Sequence, residues 1–198
     1  MDRKQMDRMI SYIGAALAAA LVIAGGLLTW GYNFANTTVS DQLAAQNIYF
    51  PPAGETFTEA DNPKIFKWAG QQVTTGKMAE GYSEHYIAHH MVGSVEGWNA
   101  ANPEFKTGAT YAEVSTMART ISANPDVDPT IIAGAMQLRE TMFMGNTLRG
   151  LLLEAYAFWM FGQIAFYASI AAFSGAVLFA GLSLLGFRHA KKANLQEN

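Results

Sequence analysis

Two long segments without a charged side chain constrain this chain more than any other feature of its sequence. No Asp, Glu, Lys or Arg occurs from Met9 to Ser40, and none occurs from Ala155 to Phe187. Both segments are longer than the roughly 18–20 apolar residues that span the hydrocarbon core of a bilayer. In a chain of 198 residues, they argue against a wholly soluble protein and predict two membrane-spanning helices around a middle domain.

The first segment predicts a signal anchor, with transmembrane helix 1 at residues 10–34. The alternative is a cleaved signal peptide, because basic residues precede the apolar run. However, the run is longer than the apolar region of a signal peptide. Trp30, Tyr32 and Phe34 also lie where small residues should precede a cleavage site, and these features favour the anchor.

The second segment, residues 155–187, is longer than one membrane crossing requires. Counted back from Phe187, about 20–22 residues reach the outer interface near Tyr167, and the first helix leaves the membrane near Trp30. These two aromatic side chains fit a shared interfacial belt. We therefore expect transmembrane helix 2 to continue outward as a long apolar helix. Its surface is then buried by the outer domain or by a partner, unless the helix tilts into the bilayer.

The outward extension of the second span, Ala155 to Ala165, carries an aromatic band that predicts a protein interface. The aromatic residues in this extension and just beyond it are Tyr156, Phe158, Trp159, Phe161 and Phe166. Large aromatic side chains dominate many protein contacts. We expect Trp159, Tyr156 and the nearby Arg149 to contact a partner subunit or a second copy of this chain. For Arg149, pairing with an acidic neighbour or with lipid headgroups is the alternative.

Charged residues outside the spans predict the orientation. The tails, residues 1–9 and 188–198, each carry three Lys or Arg residues, and short basic tails of this kind stay in the cytoplasm. Residues 35–154 carry seven basic and thirteen acidic residues, a net charge of −6. We expect this segment to be an extracytoplasmic domain. Its acidity does not suit nucleic acid, and the absence of cysteine excludes disulfides.

Helix start and stop signals predict a small all-α domain between the two transmembrane helices. Asn or Asp followed by Pro, and a Thr-x-x-Glu capping box, mark the starts of helices. The predicted helices cover residues 62–72, 77–98, 110–122 and 128–144. The sequence leaves open whether the last helix is continuous through Gly145, or stops or kinks there before it resumes toward the second span.

Small residues recur at every fourth position in both spans. One row is Gly14, Ala18 and Val22, and the other is Ala168, Ala172, Ala176 and Ala180. Small side chains allow helix backbones to approach closely in lipid. The rows therefore predict helix contact, either within the chain or with another protein.

Three of the four histidines lie in one short segment, Glu84 to Met91. On a helix, His85 and His89 share one face, and this spacing allows two imidazoles to hold Zn or Cu. The candidates for a third ligand on that face are Met78, Tyr82 and Glu96. The alternative is a polar helix face without a metal.

Two stretches of sequence resemble a group of uncharacterised actinobacterial two-pass membrane proteins. They are Gln71 to Gly76, and Thr147 to Leu153 with its continuation from Ala155 to Trp159. The layout of two spans around a middle domain is also similar. The resemblance implies a bacterial cell-membrane protein, and it assigns no functional residue.

The motifs of common enzyme classes are absent from the sequence. It contains no phosphate-binding or dinucleotide-binding glycine motif, no H-E-x-x-H and no G-x-S-x-G, and no cysteine that could act as a nucleophile. The short tails leave no cytoplasmic output domain for a sensor. These observations favour a non-catalytic accessory or assembly subunit of a larger bacterial membrane complex. The alternative is an extracytoplasmic protein or enzyme that binds Zn or Cu through His85 and His89.

Overall fold

The computed structural model describes residues 3–55 and 57–196, and the side chains of residues 5–55 and 57–192. Its helices are α1 (Arg3–Ala45), α2 (Gly76–Gly81), α3 (Ala88–Ala101), α4 (Tyr111–Ser122) and α5 (Pro129–Gln196), with a π-helical segment (Tyr82–Ile87) between α2 and α3. Only isolated β-bridges, and no strands, occur among the described residues. The all-α prediction is confirmed. The outermost residues of the predicted tails (1–2 and 197–198) and Thr56 lie outside the described part.

Both α1 and α5 are long and apolar enough to cross a membrane. In the most apolar window of α1 only 17% of the residues are buried, and in that of α5 only 11%. A core helix of a soluble protein would bury most of such a window. These two helices therefore fit a helical, two-pass membrane protein.

The chain forms two compact units. The first, called here the helix pair, comprises Met1–Thr37 and Met160–Asn198, and the second, the helical domain, comprises Thr38–Trp159. Because α1 and α5 are long, each of them contributes residues to both units.

Within the helix pair, α1 and α5 pack antiparallel along a seam of small residues that recur every seven positions. The buried seam residues are Ser11, Ala18 and Gly25 on α1, and Gly162, Ser169, Ala176, Ser183 and Ala190 on α5. A seven-residue repeat keeps a seam between two helices that supercoil with a left-handed twist. Small side chains along it bring the two backbones close together.

Contacts at both ends of the seam fix the register of the two helices. A Cβ on Gly162 would lie 2.9 Å from the Cβ of Ala35, so this position accepts only glycine without a shift. At the opposite end, the Ser183 hydroxyl donates to the backbone carbonyl of Ser11. Beyond Ser11, His189 Nδ1 lies 3.1 Å from an Asp7 carboxylate oxygen.

The predicted helix contact is present within the chain, but its register differs from the expected four-residue rows. Val22 is 52% exposed, and Ala168 and Ala180 are only half-buried. A step of four residues turns 400°, so a row drifts about 40° around the helix at each step. Alternating steps of three and four cancel this drift.

The helical domain has an aromatic core that loops and helices build together. Val39 and Leu43 of α1 pack with Leu152 of α5 in this core. Most of the other core residues come from the segment between α1 and α2, and Phe50, Phe57, Ile65 and Val73 among them are at most 2% exposed. This irregular segment therefore supplies much of the buried surface of the domain.

Glycines allow α5 to pack closely against the α2–α3 rod, which is formed by α2, the π-helical segment and α3. A side chain at Gly76 would collide with the Trp159 side chain, and one at Gly134 would lie 3.1 Å from the Trp98 ring. Gly76, at the start of the rod, contacts Trp159, whereas Trp98, near its end, contacts Gly134, which comes earlier in α5. The rod and α5 are therefore antiparallel.

A stop of the last helix at Gly145, one of the alternatives that the sequence leaves open, does not occur. The helix α5 continues through Gly145 without interruption. A Cβ at this position would lie 2.6 Å from the Met91 sulfur, so the glycine makes room for a side chain of α3. Packing, and not a break in the helix, accounts for the residue.

The prediction of a helix at residues 62–72 is wrong, since only a single 3₁₀ turn forms there, at Phe66–Trp68. The chain reverses at Gly70, which has a φ of +69°. The Phe50 N–H then donates to the Gln71 carbonyl at 2.9 Å, and the Val73 N–H donates to the Ile48 carbonyl at 2.8 Å. The end of this stretch therefore pairs with a distant segment, while its earlier part keeps short turn hydrogen bonds, such as that from the Ile65 N–H to the Asn62 carbonyl.

Two predicted helix starts are confirmed. Thr110 and Glu113 form the complete capping box at the start of α4. At the start of α5, the Asp128 carboxylate accepts from the Thr130 N–H at 2.8 Å. The Thr130 hydroxyl also donates to that carboxylate, and both hydrogen bonds lower the pKa of Asp128.

Candidate functional site

The histidine cluster lies on the α2–α3 rod, where the backbone is partly π-helical. His85 and His89 line one open cleft of about 400 Å³, together with Asp61 and Glu84. The π-helical segment includes His85 but ends before His89. Because both side chains line the same cleft, the two imidazoles share a face, as the spacing predicts.

Met78 and Tyr82, two of the candidates for a third metal ligand, do not line this cleft. Met78 is buried in the aromatic core. Tyr82 lies against the Phe50 ring with a centroid distance of 5.2 Å, and burial raises the pKa of Tyr82 to about 12. In the described part of the chain, no group of three or more His, Asp or Glu side chains is placed to hold a metal ion. Metal binding by His85 and His89 stays a prediction.

Arg149 joins α5 to the π-helical segment. Its Nη2 lies 2.9 Å from a Glu84 carboxylate oxygen, and the Ser83 hydroxyl donates to the Arg149 carbonyl at 3.3 Å. The Arg149 Nε is buried, and no described residue accepts a hydrogen bond from it. Of the alternatives for Arg149, pairing with an acidic neighbour is therefore present, whereas contact with a partner stays a prediction.

Trp159 and Tyr156 also make contacts within the domain. The Trp159 ring lies against Gly76 at the edge of the aromatic core. The Tyr156 ring stacks on it at a centroid distance of 6.0 Å, and the Lys77 ammonium lies 5.7 Å from the Tyr156 ring. Both rings are only half-buried. Their contact with a partner subunit also stays a prediction.

A strip of exposed apolar side chains lies on α5 within the helical domain. We call Met144, Leu148 and Leu151 the α5 strip, and their exposed fractions are 54%, 47% and 57%. Steps of four and three residues place them on one side of the helix. The strip is not among the predicted interface residues, although its spacing is visible in the sequence, because the interface prediction rests on the aromatic band that follows it.

No known protein family, curated protein or solved structure matches this chain. The resemblance to actinobacterial two-pass membrane proteins therefore stays a prediction.

Proposed function

We propose that this chain is a non-catalytic accessory or assembly subunit of a larger bacterial cell-membrane complex. In this proposal both tails are cytoplasmic, α1 and α5 cross the membrane, and the helical domain is extracytoplasmic. The basic tails and the acidic middle segment support this orientation.

The observation that carries the proposal is the α5 strip. Its three side chains are long and apolar, and they precede the charge-free segment that begins at Ala155. Removal of apolar surface from water is favourable by roughly 25 cal/mol per Å². Contiguous exposed apolar patches on a folded domain often mark interaction sites. A partner subunit that covers the α5 strip would gain this free energy.

The partner contact is tested with a tagged copy purified from its native membrane in mild detergent. We expect one protein to co-purify in a fixed stoichiometry, and the Leu148→Gln, Leu151→Gln double variant to lose it. Val92→Gln is the matched control, because Val92 is also apolar and 42% exposed but lies on α3. Retention of the partner by the double variant, or a chain that purifies alone, would contradict the proposal. A second copy as the only partner would make it a homo-oligomer and not an accessory subunit.

The orientation is tested by labelling single cysteines in this cysteine-free chain. Asn102→Cys should react with a membrane-impermeant maleimide in intact cells, whereas Lys192→Cys should react only after lysis. The reverse pattern would place the helical domain in the cytoplasm.

We propose metal binding by His85 and His89 as a second candidate function, because both line one cleft beside Asp61 and Glu84. Carboxylate and imidazole are both ligands of Zn. The purified chain should then hold about one Zn or Cu per molecule, and His85→Ala should remove it. His189→Ala is the control, because His189 lies in the helix pair. Equal metal content in all three proteins would contradict this candidate.

A further inference from the structure

Most of the basic side chains of the helical domain have no acidic partner among the described residues, and two of them, Arg119 and Arg139, are held by the same serine. Lys77 pairs with Glu80 at 2.8 Å, and Arg149 pairs with Glu84. Among the described residues, neither Arg119 nor Arg139 has a carboxylate oxygen within 4 Å. In a segment with a net charge of −6, two arginines without an acidic partner form a local positive site.

Both arginines are held by one buried residue, Ser115. The Arg139 Nε donates to the Ser115 hydroxyl oxygen at 3.2 Å, and the Arg119 Nε donates to the Ser115 carbonyl at 3.2 Å. Ser115 is only 6% exposed. Because each guanidinium is fixed through its Nε, N–H groups on its Nη atoms remain for other acceptors, and Arg139 also hydrogen-bonds the Tyr111 hydroxyl.

The Tyr111 hydroxyl lies in the same positive environment. Hydrogen bonding with Arg139 and Ser115 lowers the pKa of Tyr111, and the charges of Arg139 and Arg119 act in the same direction. Stabilisation of a phenolate by these groups means that they also favour other anions at this position.

An apolar cleft opens beside Arg139 and Tyr111. Its volume is about 560 Å³, and Ala133, Met136 and Phe143 line it together with Tyr111 and Arg139. The Tyr111 and Phe143 rings lie 5.8 Å apart, while Met136 and Phe143 are 40% and 56% exposed. Gln137 and Glu140 complete the lining, and Glu140 supplies its only carboxylate.

We propose that Arg119, Arg139 and Tyr111 bind an anionic amphiphile, a molecule in which a phosphate or carboxylate group is joined to an apolar portion. The two guanidinium groups and the phenol hydroxyl donate to the anionic group. The apolar portion lies in the cleft against Met136 and Phe143. Arginine suits this role, because its planar fork donates two parallel hydrogen bonds to the oxygens of phosphate or carboxylate.

The test is isothermal titration of the full chain in nanodiscs of neutral phosphatidylcholine. Hexyl phosphate, inorganic phosphate and hexanol serve as probes for the whole ligand, the anionic group and the apolar portion. We expect hexyl phosphate to bind most tightly. Arg139→Gln and Arg119→Gln should each weaken its binding about tenfold or more, because charge-assisted hydrogen bonds are lost.

Two further variants distinguish specific binding at this site from nonspecific attraction of the anion to exposed cations. Glu140→Gln removes a repelling carboxylate and should strengthen the binding of hexyl phosphate a few-fold. Lys106→Gln removes an exposed cation elsewhere in the same domain and should leave the affinity unchanged. Since Arg119 is exposed, Arg119→Gln should fold even if Arg139→Gln does not, and melting temperatures check both variants.

Three results would overturn the proposal. Equal losses in Lys106→Gln and in the arginine variants would show general charge attraction. Equal affinity for hexyl phosphate and inorganic phosphate would remove the role of the apolar cleft. Equal affinity for hexyl phosphate and hexanol would remove the role of the arginines.

Discussion

The helices of the helix pair and those of the helical domain pack through different kinds of side chains. In the helix pair, α1 and α5 meet along Gly, Ala and Ser residues that repeat every seven positions. In the domain, the core is built from Phe, Ile, Val, Leu and Met side chains, and irregular loops supply much of it. One unit is therefore held by close approach of backbones, and the other by burial of large side chains.

The difference follows from the surroundings that each unit is expected to have. A lipid bilayer is as apolar as a leucine side chain, so burial of a large side chain between two spans gains little, and close van der Waals contact decides. In water, burial of aromatic and aliphatic side chains is the main favourable contribution to folding. Gly162 and Trp159 illustrate the two principles only three residues apart on α5.

The most decisive test of the seven-residue seam is a crosslink. In the double variant Gly14→Cys, Ser183→Cys a disulfide should form, because a Cβ on Gly14 would lie 3.5 Å from the Ser183 Cβ and disulfides require about 3.5–4.5 Å. Val22→Cys, Ala176→Cys pairs the two four-residue rows at one level along the helices, and it should stay reduced because Val22 is 52% exposed. Oxidation in membranes followed by non-reducing electrophoresis distinguishes the two registers. A crosslink in the second pair would contradict the seven-residue repeat.

Loss of the Trp159 ring should cause the largest change in stability. Trp159→Ala leaves a cavity against Gly76 and the aromatic core, and large-to-small changes of this kind cost about 3 kcal/mol. Thermal unfolding followed by near-ultraviolet circular dichroism measures the effect. Leu148→Ala on the same helix is the control, because Leu148 is 47% exposed, and it should change stability by less than about 0.5 kcal/mol. Similar melting temperatures for both variants would argue against the packing of Trp159.

Gly145 and Gly150 give a sharper comparison, since substitution by alanine should change stability in opposite directions at these two positions of one helix. Gly145→Ala should destabilise the domain by about 1–2 kcal/mol, because the new Cβ crowds Met91. Gly150 has open space around it, so Gly150→Ala should stabilise α5 by up to about 1 kcal/mol through helix propensity. Chemical denaturation of both variants measures the difference. Stabilisation by Gly145→Ala would contradict the close packing of this glycine against Met91.

The smallest expected effect concerns the capping box of α4. Thr110→Ala should cost about 1 kcal/mol. Hydrogen bonds from Thr110 lower the pKa of Glu113 below its usual 4.5, so the carboxylate stabilises the fold fully above that pH, and this contribution is lost as the pH falls through the lowered pKa. The wild type should therefore lose stability on acidification below pH 4.5, and Thr110→Ala should lose less. Parallel melting curves at pH 6 and pH 3.5 provide the measurement, and an equal loss in both proteins would exclude this role of the cap.

Features that depend on neighbouring residues could be predicted from the sequence. The two apolar helices follow from the charge-free segments, and the starts of α4 and α5 follow from side chains within three positions of the backbone groups that they bind. His85 and His89 line one cleft because a step of four residues makes about one helical turn. In each case the interaction is local, so the spacing along the chain is sufficient.

Features that depend on distant segments were decided only by the tertiary structure. The predicted helix at residues 62–72 gives way at its end to backbone pairing of Gly70 with Pro51 and of Gln71 with Phe50. Gly145 is explained by Met91, a residue on another helix. The pairing of Arg149 with Glu84, and the hydrogen bond from Arg139 to Ser115, likewise join groups far apart in the chain and on different helices. Composition and periodicity specify which surface of a helix is apolar, but the partner that covers that surface is set by packing, since hydrophobic burial has no direction of its own.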